Sequence, residues 1–153
     1  LQRLVSAFKY HNAPELAVQL GRLMGHGIKG SPFADSFDTI IPVPLHPAKA
    51  RIRGYNQAER LAVGMGEVLQ KPIDTTSMSR RRNTRTQTRK SREARWKNVN
   101  GAFEVCASPP PRILLVDDVI TTGSTLEACI NTLYSAERPP EAVSIGCLGV
   151  ARR

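Results

Sequence analysis

A chain of 153 residues with 22 lysines and arginines against 13 aspartates and glutamates carries a formal net charge of +9. That length suffices for one domain with its own apolar core, and no apolar run approaches the ~20 residues of a membrane-spanning helix. Cys106, Cys129 and Cys147 are widely separated, odd in number and without a Cys-x-x-Cys pair, which argues against a disulfide framework or a zinc cage and for buried thiols in a cytoplasmic, reducing setting.

No cleavable signal pattern opens the chain, and Leu1 is not a natural start, which leaves room for an upstream segment. Residues 1–10 place Leu1, Leu4, Val5 and Phe8 on one helical stripe. Asn12-Ala-Pro14 then reads as a break and a new helix start, with Asn12 as cap and Pro14 in the first turn. This helix is expected to turn Leu16, Leu20, Leu23 and Met24 inward and to end near Gly25 to Gly27, before a turn at Gly30-Ser-Pro32. His11 and His26 have no partner spaced for metal binding or catalysis and read as surface residues.

Residues 39–43 form the first central strand candidate, and they run into Pro42-Val-Pro-Leu-His-Pro47. Three prolines in six residues end a strand and stiffen the loop after it. Lys49, Arg51 and Arg53 come next, then Gly54-Tyr-Asn-Gln57. A rigid loop after a parallel strand, followed by spaced cations, suits a polyanion such as pyrophosphate. The same residues also fit a proline turn with solvated side chains. A helix is predicted over residues 56–69 with Leu61, Ala62, Met65 and Leu69 on its core stripe, and a short strand over 72–76.

Residues 80–97 hold nine basic side chains (Arg80, Arg81, Arg82, Arg85, Arg89, Lys90, Arg92, Arg95, Lys97) and one acid, Glu93, so this segment carries +8 and the remainder is nearly neutral. It lacks apolar periodicity as far as Lys90, which predicts a mobile loop. Residues 91–99 read as a short helix carrying Trp96, and residues 101–106 as a strand. Ile113 to Val116 are four apolar residues suited to a strand buried on both faces. Asp117 and Asp118 stand where that strand should end, Val119 and Ile120 step away from the sheet, and Thr121-Thr-Gly-Ser-Thr125 leads into a helix over 126–135. Residues 142–150 are a closing strand. Strands alternating with helices predict an α/β domain with a mostly parallel central sheet flanked by helices, binding its ligand beyond the carboxyl ends of the strands.

A small-residue turn opening a helix presents backbone N–H groups at the positive end of the helix dipole, an anion site suited to phosphate. The hydroxyls of Thr121, Thr122, Ser124 and Thr125 add donors, and Gly123 allows close approach. A phosphate cradle alone has no use for two acids just upstream. A phosphorylated sugar does, because carboxylates accept hydrogen bonds from vicinal hydroxyls. The pattern therefore suggests ribose 5-phosphate, with its phosphate in the loop and its 2- and 3-hydroxyls on Asp117 and Asp118. A strand, an acidic turn and a well-capped helix would explain the strand and the cap, but not paired acids together with four hydroxyls.

Over all thirteen positions, residues 113–125 resemble the PRPP-binding signature of type I phosphoribosyltransferases. Together with Ile41-Pro-Val-Pro-Leu-His-Pro47, Arg53-Gly-Tyr-Asn-Gln-Ala58, Arg85-Thr-Gln87, Arg95-x-x-Asn-Val99 and Gly101-Ala-Phe103, the chain resembles the ComF family of competence-related, predicted amidophosphoribosyltransferases. The family's N-terminal cysteine-rich, zinc-ribbon-like segment is not in this sequence, so zinc binding is not carried over. The resemblance implies a single phosphoribosyltransferase domain over 1–153, with a helical hood over 1–30 and an α/β core over 38–153. It implies that Asp117 and Asp118 are the catalytic, ribose-holding pair, and that Thr121, Thr122, Gly123, Ser124 and Thr125 bind the 5-phosphate. Leu45, His46, Pro47, Ala48 and Lys49 become the pyrophosphate loop, which in such enzymes often contains a non-proline cis bond. Arg85, Lys90, Arg92 and Arg95 become cations of a flexible loop that closes over the substrate.

The implied reaction displaces pyrophosphate from C1 of PRPP by a nitrogen nucleophile, with Mg²⁺ held by PRPP and water rather than by a protein cage. The acceptor is not legible; Phe8, Tyr10 and Tyr55 are candidates to stack on a nucleobase. The rival expectation is a competence or DNA-uptake accessory protein that binds single-stranded DNA or a competence protein through the basic segment, with PRPP as a regulatory ligand. There Trp96 would stack on a base rather than anchor packing. Membrane insertion is not expected, and a homo-oligomer is left open.

Overall fold

The computed structural model describes residues 14–81 and 101–151. The stripe over 1–10 with Phe8 and Tyr10, His11, Asn12, the basic residues from Arg82 to Lys97 and the helix proposed for Trp96 lie outside the described residues. In chain order the elements are α1 (Pro14–Ile28), β1 (Thr39–Pro42), α2 (Pro47–Arg53), α3 (Gln57–Leu69), β2 (Met78–Arg80), β3 (Phe103–Val105), β4 (Arg112–Ile120), α4 (Ser124–Tyr134) and β5 (Ala142–Val150).

β1, β4 and β5 form a parallel sheet with β4 in the middle. The α/β class with a parallel sheet is thus the observed one. Thr39 pairs with Ile113 and Pro42 with Val116 on one side of β4, while Arg112 pairs with Ala142 and Ile120 with Val150 on the other. The strand expected over 72–76 is reduced to one parallel bridge, Ile40 to Ile73, because Asp74 turns the chain away by accepting from the backbone N–H groups of Thr76 and Ser77 at 2.7 and 3.0 Å. β2 and β3 make a separate antiparallel ribbon.

Successive side chains of a strand face opposite ways, and β4 sorts its residues accordingly. Ile113 and Leu115 pack with Leu126, Cys129 and Leu133 of α4 and with Met78 and Phe103 of the ribbon. Leu114 and Val116 pack with Ala17 of α1, with Leu61, Ala62 and Met65 of α3, and with Phe37. All four β4 residues are fully buried, each such side chain contributing about 1.5–3 kcal/mol relative to exposure. No helix among the described residues is long and apolar enough to cross a membrane.

Several expectations change. Leu23 is 67% exposed rather than inward. Leu20 and Met24 do pack against the core, and the fully buried row of α1 is Ala17, Gly21 and Gly25, because α1 crosses α3 with the two backbones almost touching. A Cβ on Gly21 would lie 2.1 Å from the Leu61 carbonyl oxygen, and one on Gly64 would lie 2.0 Å from that of Val18. The segment 47–53, read as part of a loop, is the helix α2, begun by Pro47 behind the cap His46 and closed by Gly54 at φ 80°. Arg80 belongs to β2 rather than to a loop, because Met78 pairs with Val105 and Arg80 with Phe103. β4 does not end at the acids; it continues along β5 to Ile120, so Val119 and Ile120 stay in the sheet. α4 starts at Ser124 and ends at Tyr134, one or two residues from the expected bounds. Of the thiols expected to be buried, Cys129 is, Cys147 is half-buried, and Cys106 is exposed where the chain leaves β3.

The α1–α3 crossing sets a paired test. Alanine gains about 1 kcal/mol over glycine in a helix, while overpacking against immobile backbone costs about 1–3 kcal/mol. Gly64→Ala should therefore lower stability in urea unfolding by about 1 kcal/mol, and by up to about 2 where the backbone does not yield. Gly27→Ala, where an added Cβ meets nothing within 4 Å, should instead raise it by about 0.5–1 kcal/mol.

Candidate functional site

The site is built where β1 stops and β4 goes on. The Val43 N–H still donates to the Val116 carbonyl at 2.8 Å. The pairing of β1 with β4 ends at Pro42 and Val116, and Asp117 is the first β4 residue beyond it. The loop 43–46 and the segment 117–125 therefore lie side by side at the carboxyl ends of adjacent parallel strands.

Asp117 and Asp118 are half-buried on the outer part of β4. The Asp117 carboxylate accepts from the Asp118 N–H at 2.9 Å, and the Asp118 carboxylate accepts from the Val119 N–H at 2.7 Å. Alternation places Asp117 on the α4 side, and it lines a small cavity of about 20 Å³ together with all five residues from Thr121 to Thr125. That volume suits about one water; a larger anion would sit at its mouth. Gly123 adopts φ 78° as the N-cap of α4 and supplies no side-chain cap, so the first N–H groups of the helix keep the orphan character of a helix start. The hydroxyls of Thr122 and Ser124 stand 3.0 Å apart.

On the β1 side, Leu45, His46 and Pro47 line a second cavity of about 650 Å³, shared with Tyr55, Asn56, Arg60, Ser79, Arg80, Arg81 and Glu104. Ala48 and Lys49 fall in the first turn of α2, so the predicted pyrophosphate loop is half loop and half helix. No cis peptide bond occurs among the described residues, so the one often found in such loops is not present here. The His46 side chain is engaged at both nitrogens: Nδ1 accepts from the Ala48 N–H at 3.1 Å, and Nε2 lies 3.2 Å from the Arg81 carbonyl oxygen. A carbonyl only accepts, so Nε2 carries the proton and one neutral tautomer serves both contacts. His46 thus shapes this corner of the site.

Sequence reading missed the place of Arg80. Its guanidinium lies over the Phe103 ring at 5.1 Å. Burial holds it below its ordinary pKa, with Cys129 and Asp117 acting in the other direction. Burial also pushes the Lys49 ammonium down, aided by the nearby Arg80 and Arg53. Lys49 thus lies near Arg53, also of α2, and near Arg80 of the ribbon, and Arg80 lies near Asp117. A three-residue strand offers too little alternation to be read ahead of time, and the run of arginines masked it. Beyond Arg80, Arg81 pairs with Glu104, whose other oxygen accepts from Ser79 Oγ at 2.7 Å. Arg85, Lys90, Arg92 and Arg95 lie outside the described residues. Among the described residues no group of three His, Cys, Asp or Glu side chains could hold a metal ion.

No protein-family model matches the chain. Curated relatives do. Over 133 residues it is 35% identical to competence protein F of Haemophilus influenzae, covering 82% of this chain and 58% of that protein. Over 152 residues it is 30% identical to the DNA utilization protein YhgH of Escherichia coli K12, covering 97% of this chain and 66% of that protein. The chain thus spans about 58–66% of the length of these relatives. Among solved structures, it is similar to a hypoxanthine-guanine phosphoribosyl transferase of L. donovani at 12% identity and a TM-score of 0.45, over 89% of this chain and 66% of that one.

The strain on Lys49 gives a test. Its folded pKa is below its ordinary value, so the unfolded chain holds that proton more tightly and the protonated side chain opposes folding. The penalty is full below the folded pKa and vanishes as pH rises past the unfolded one. Lys49→Gln should therefore raise the urea stability at neutral pH, by no more than about 0.5 kcal/mol because solvent screens this partly exposed group, and the gain should shrink when the comparison is repeated near pH 10.

Proposed function

The chain belongs to the ComF family, that of competence protein F and YhgH, and on that premise we propose that it binds PRPP and transfers its 5-phosphoribosyl group to a nitrogen acceptor with release of pyrophosphate. The observation that supports this most is the junction at Val43 and Val116. It lays the proline loop and its cations against the acid pair and the Thr/Gly turn, so one extended ligand with phosphate at both ends could span them.

In this reading the 5-phosphate accepts from the N–H groups and hydroxyls of Thr121, Thr122, Gly123, Ser124 and Thr125. Asp117 and Asp118 accept from the ribose hydroxyls, and their charge favours positive charge developing at C1. Lys49 and Arg80 face the pyrophosphate end. The bond from C1 to the pyrophosphate oxygen breaks with its electron pair leaving on pyrophosphate, the bond from C1 to the acceptor nitrogen forms, and that nitrogen gives up a proton. Mg²⁺ would be held by the phosphate oxygens of PRPP and by water, and when bound it would neutralise charge on the leaving group. No protein nucleophile is needed.

The names of the relatives, competence and DNA utilization, support a rival ligand, single-stranded DNA, read by the basic residues between Arg80 and Lys97. Calorimetric titration separates the two. Mg–PRPP should bind the wild-type protein, and the double variant Asp117→Asn/Asp118→Asn should weaken it at least about tenfold, since charge-assisted hydrogen bonds contribute about 1.5–3 kcal/mol each. A folded wild type that ignores Mg–PRPP, yet binds a single-stranded oligonucleotide with an affinity that collapses as salt rises, would overturn this assignment in favour of DNA.

A further inference from the structure

We propose that Asn56 is the positioning residue of the loop between β1 and α2, holding it where the pyrophosphate end of the ligand must sit; the ligand part of this rests on the phosphoribosyl reading. Asn56 stands at the start of α3 and uses both ends of its amide. Oδ1 accepts from the Ala58 N–H at 3.1 Å, capping the helix. Nδ2 donates to the Val43 carbonyl at 3.1 Å, across thirteen residues of sequence. An N–H can only donate and a carbonyl only accept, so the two contacts together fix the amide's orientation.

The cap alone does not call for asparagine. Aspartate caps a helix as well and glycine costs it only a few tenths of a kcal/mol, but neither side chain can donate to Val43. Val43 is the hinge of the whole site. Its N–H is held by Val116, the residue before Asp117, and its carbonyl by Asn56. It lies between Pro42 and Pro44, which have no N–H to offer. The contact with Asn56 thus ties the loop to α3 at the point where the chain leaves the sheet, and His46 ties its far end to Arg81. Losing the Asn56 donor leaves a part-buried carbonyl without its partner and lets the loop drift, and small displacements of binding groups are costly.

The test uses Asn56→Asp and Asn56→Gly, which lose the donor while leaving the start of α3 near its wild-type stability, beside Asn56→Ala, which loses donor and cap. Hydrogen exchange should be about tenfold faster at the amides of residues 45–50 in the first two variants, with α3 as protected as in the wild type. Calorimetry should show Mg–PRPP and inorganic pyrophosphate weakened about tenfold, while ribose 5-phosphate, which needs only the 117–125 segment, binds as before. A residue that merely caps α3 would leave the exchange at residues 45–50 in both variants, and pyrophosphate binding in Asn56→Gly, like the wild type, and that result overturns the proposal. So would equal weakening of ribose 5-phosphate and pyrophosphate. If the wild type binds none of these ligands, the phosphoribosyl reading falls, and the exchange rates still decide whether Asn56 holds the loop.

Discussion

The structure depends on an unequal pairing: a four-residue strand, β1, lies beside a nine-residue strand, β4. Proline ends the shorter one, because Pro42 and Pro44 cannot donate to a ladder. The longer one is free to continue because β5 supports its other side through Val150. The step between them puts two carboxylates at a sheet edge rather than in the core. One residue earlier, at Val116, the side chain is completely buried, and an unpaired carboxylate there would be prohibitively costly. Register fixes the acids where they can be charged, and a slip by one would also exchange the two faces of β4.

Around this step the molecule collects positive charge that folding does not favour. Lys49 comes from α2, Arg53 from the end of the same helix and Arg80 from the ribbon, and burial and mutual repulsion hold Lys49 below its ordinary pKa. Asp117 on β4 relieves part of this at Arg80. Like charge is thus concentrated here at some expense of stability, and any counter-charge would relieve it. The large cavity beside these groups, with proline walls from Pro42, Pro44 and Pro47, gives that charge a rigid frame.

Much of this was legible in the residues. The 142–150 strand, the α3 stripe of Leu61, Ala62 and Met65, and the Thr/Gly turn ahead of a helix all come from periodicity or from turn chemistry, and the structure has each. The features that escaped did so for physical reasons. Leu23 looked like core because spacing reports a helical face, not how close another helix will come, and the glycine contact with α3 turned that face toward Gly21. α2 is seven residues long, too short for periodicity to register. Arg80 sat in a run of arginines whose composition dominated the reading, while its pairing with Phe103 crosses more than twenty residues of sequence, which no local pattern reports. Asn56 was visible as the first residue of a helix but neither as its cap nor as a donor to Val43, since that partner is set by tertiary structure.

The β2–β3 ribbon has a consequence for the stretch of chain between its strands. Met78 pairs with Val105, and the Arg81 N–H donates to the Ala102 carbonyl at 2.8 Å, so whatever lies between Arg81 and Gly101 departs and returns through one narrow doorway. The entropic cost of closing such an excursion grows only slowly with its length. A change in the length of that interval therefore costs little in closure entropy. The ribbon thus fixes where the interval begins and ends, whatever its length or sequence.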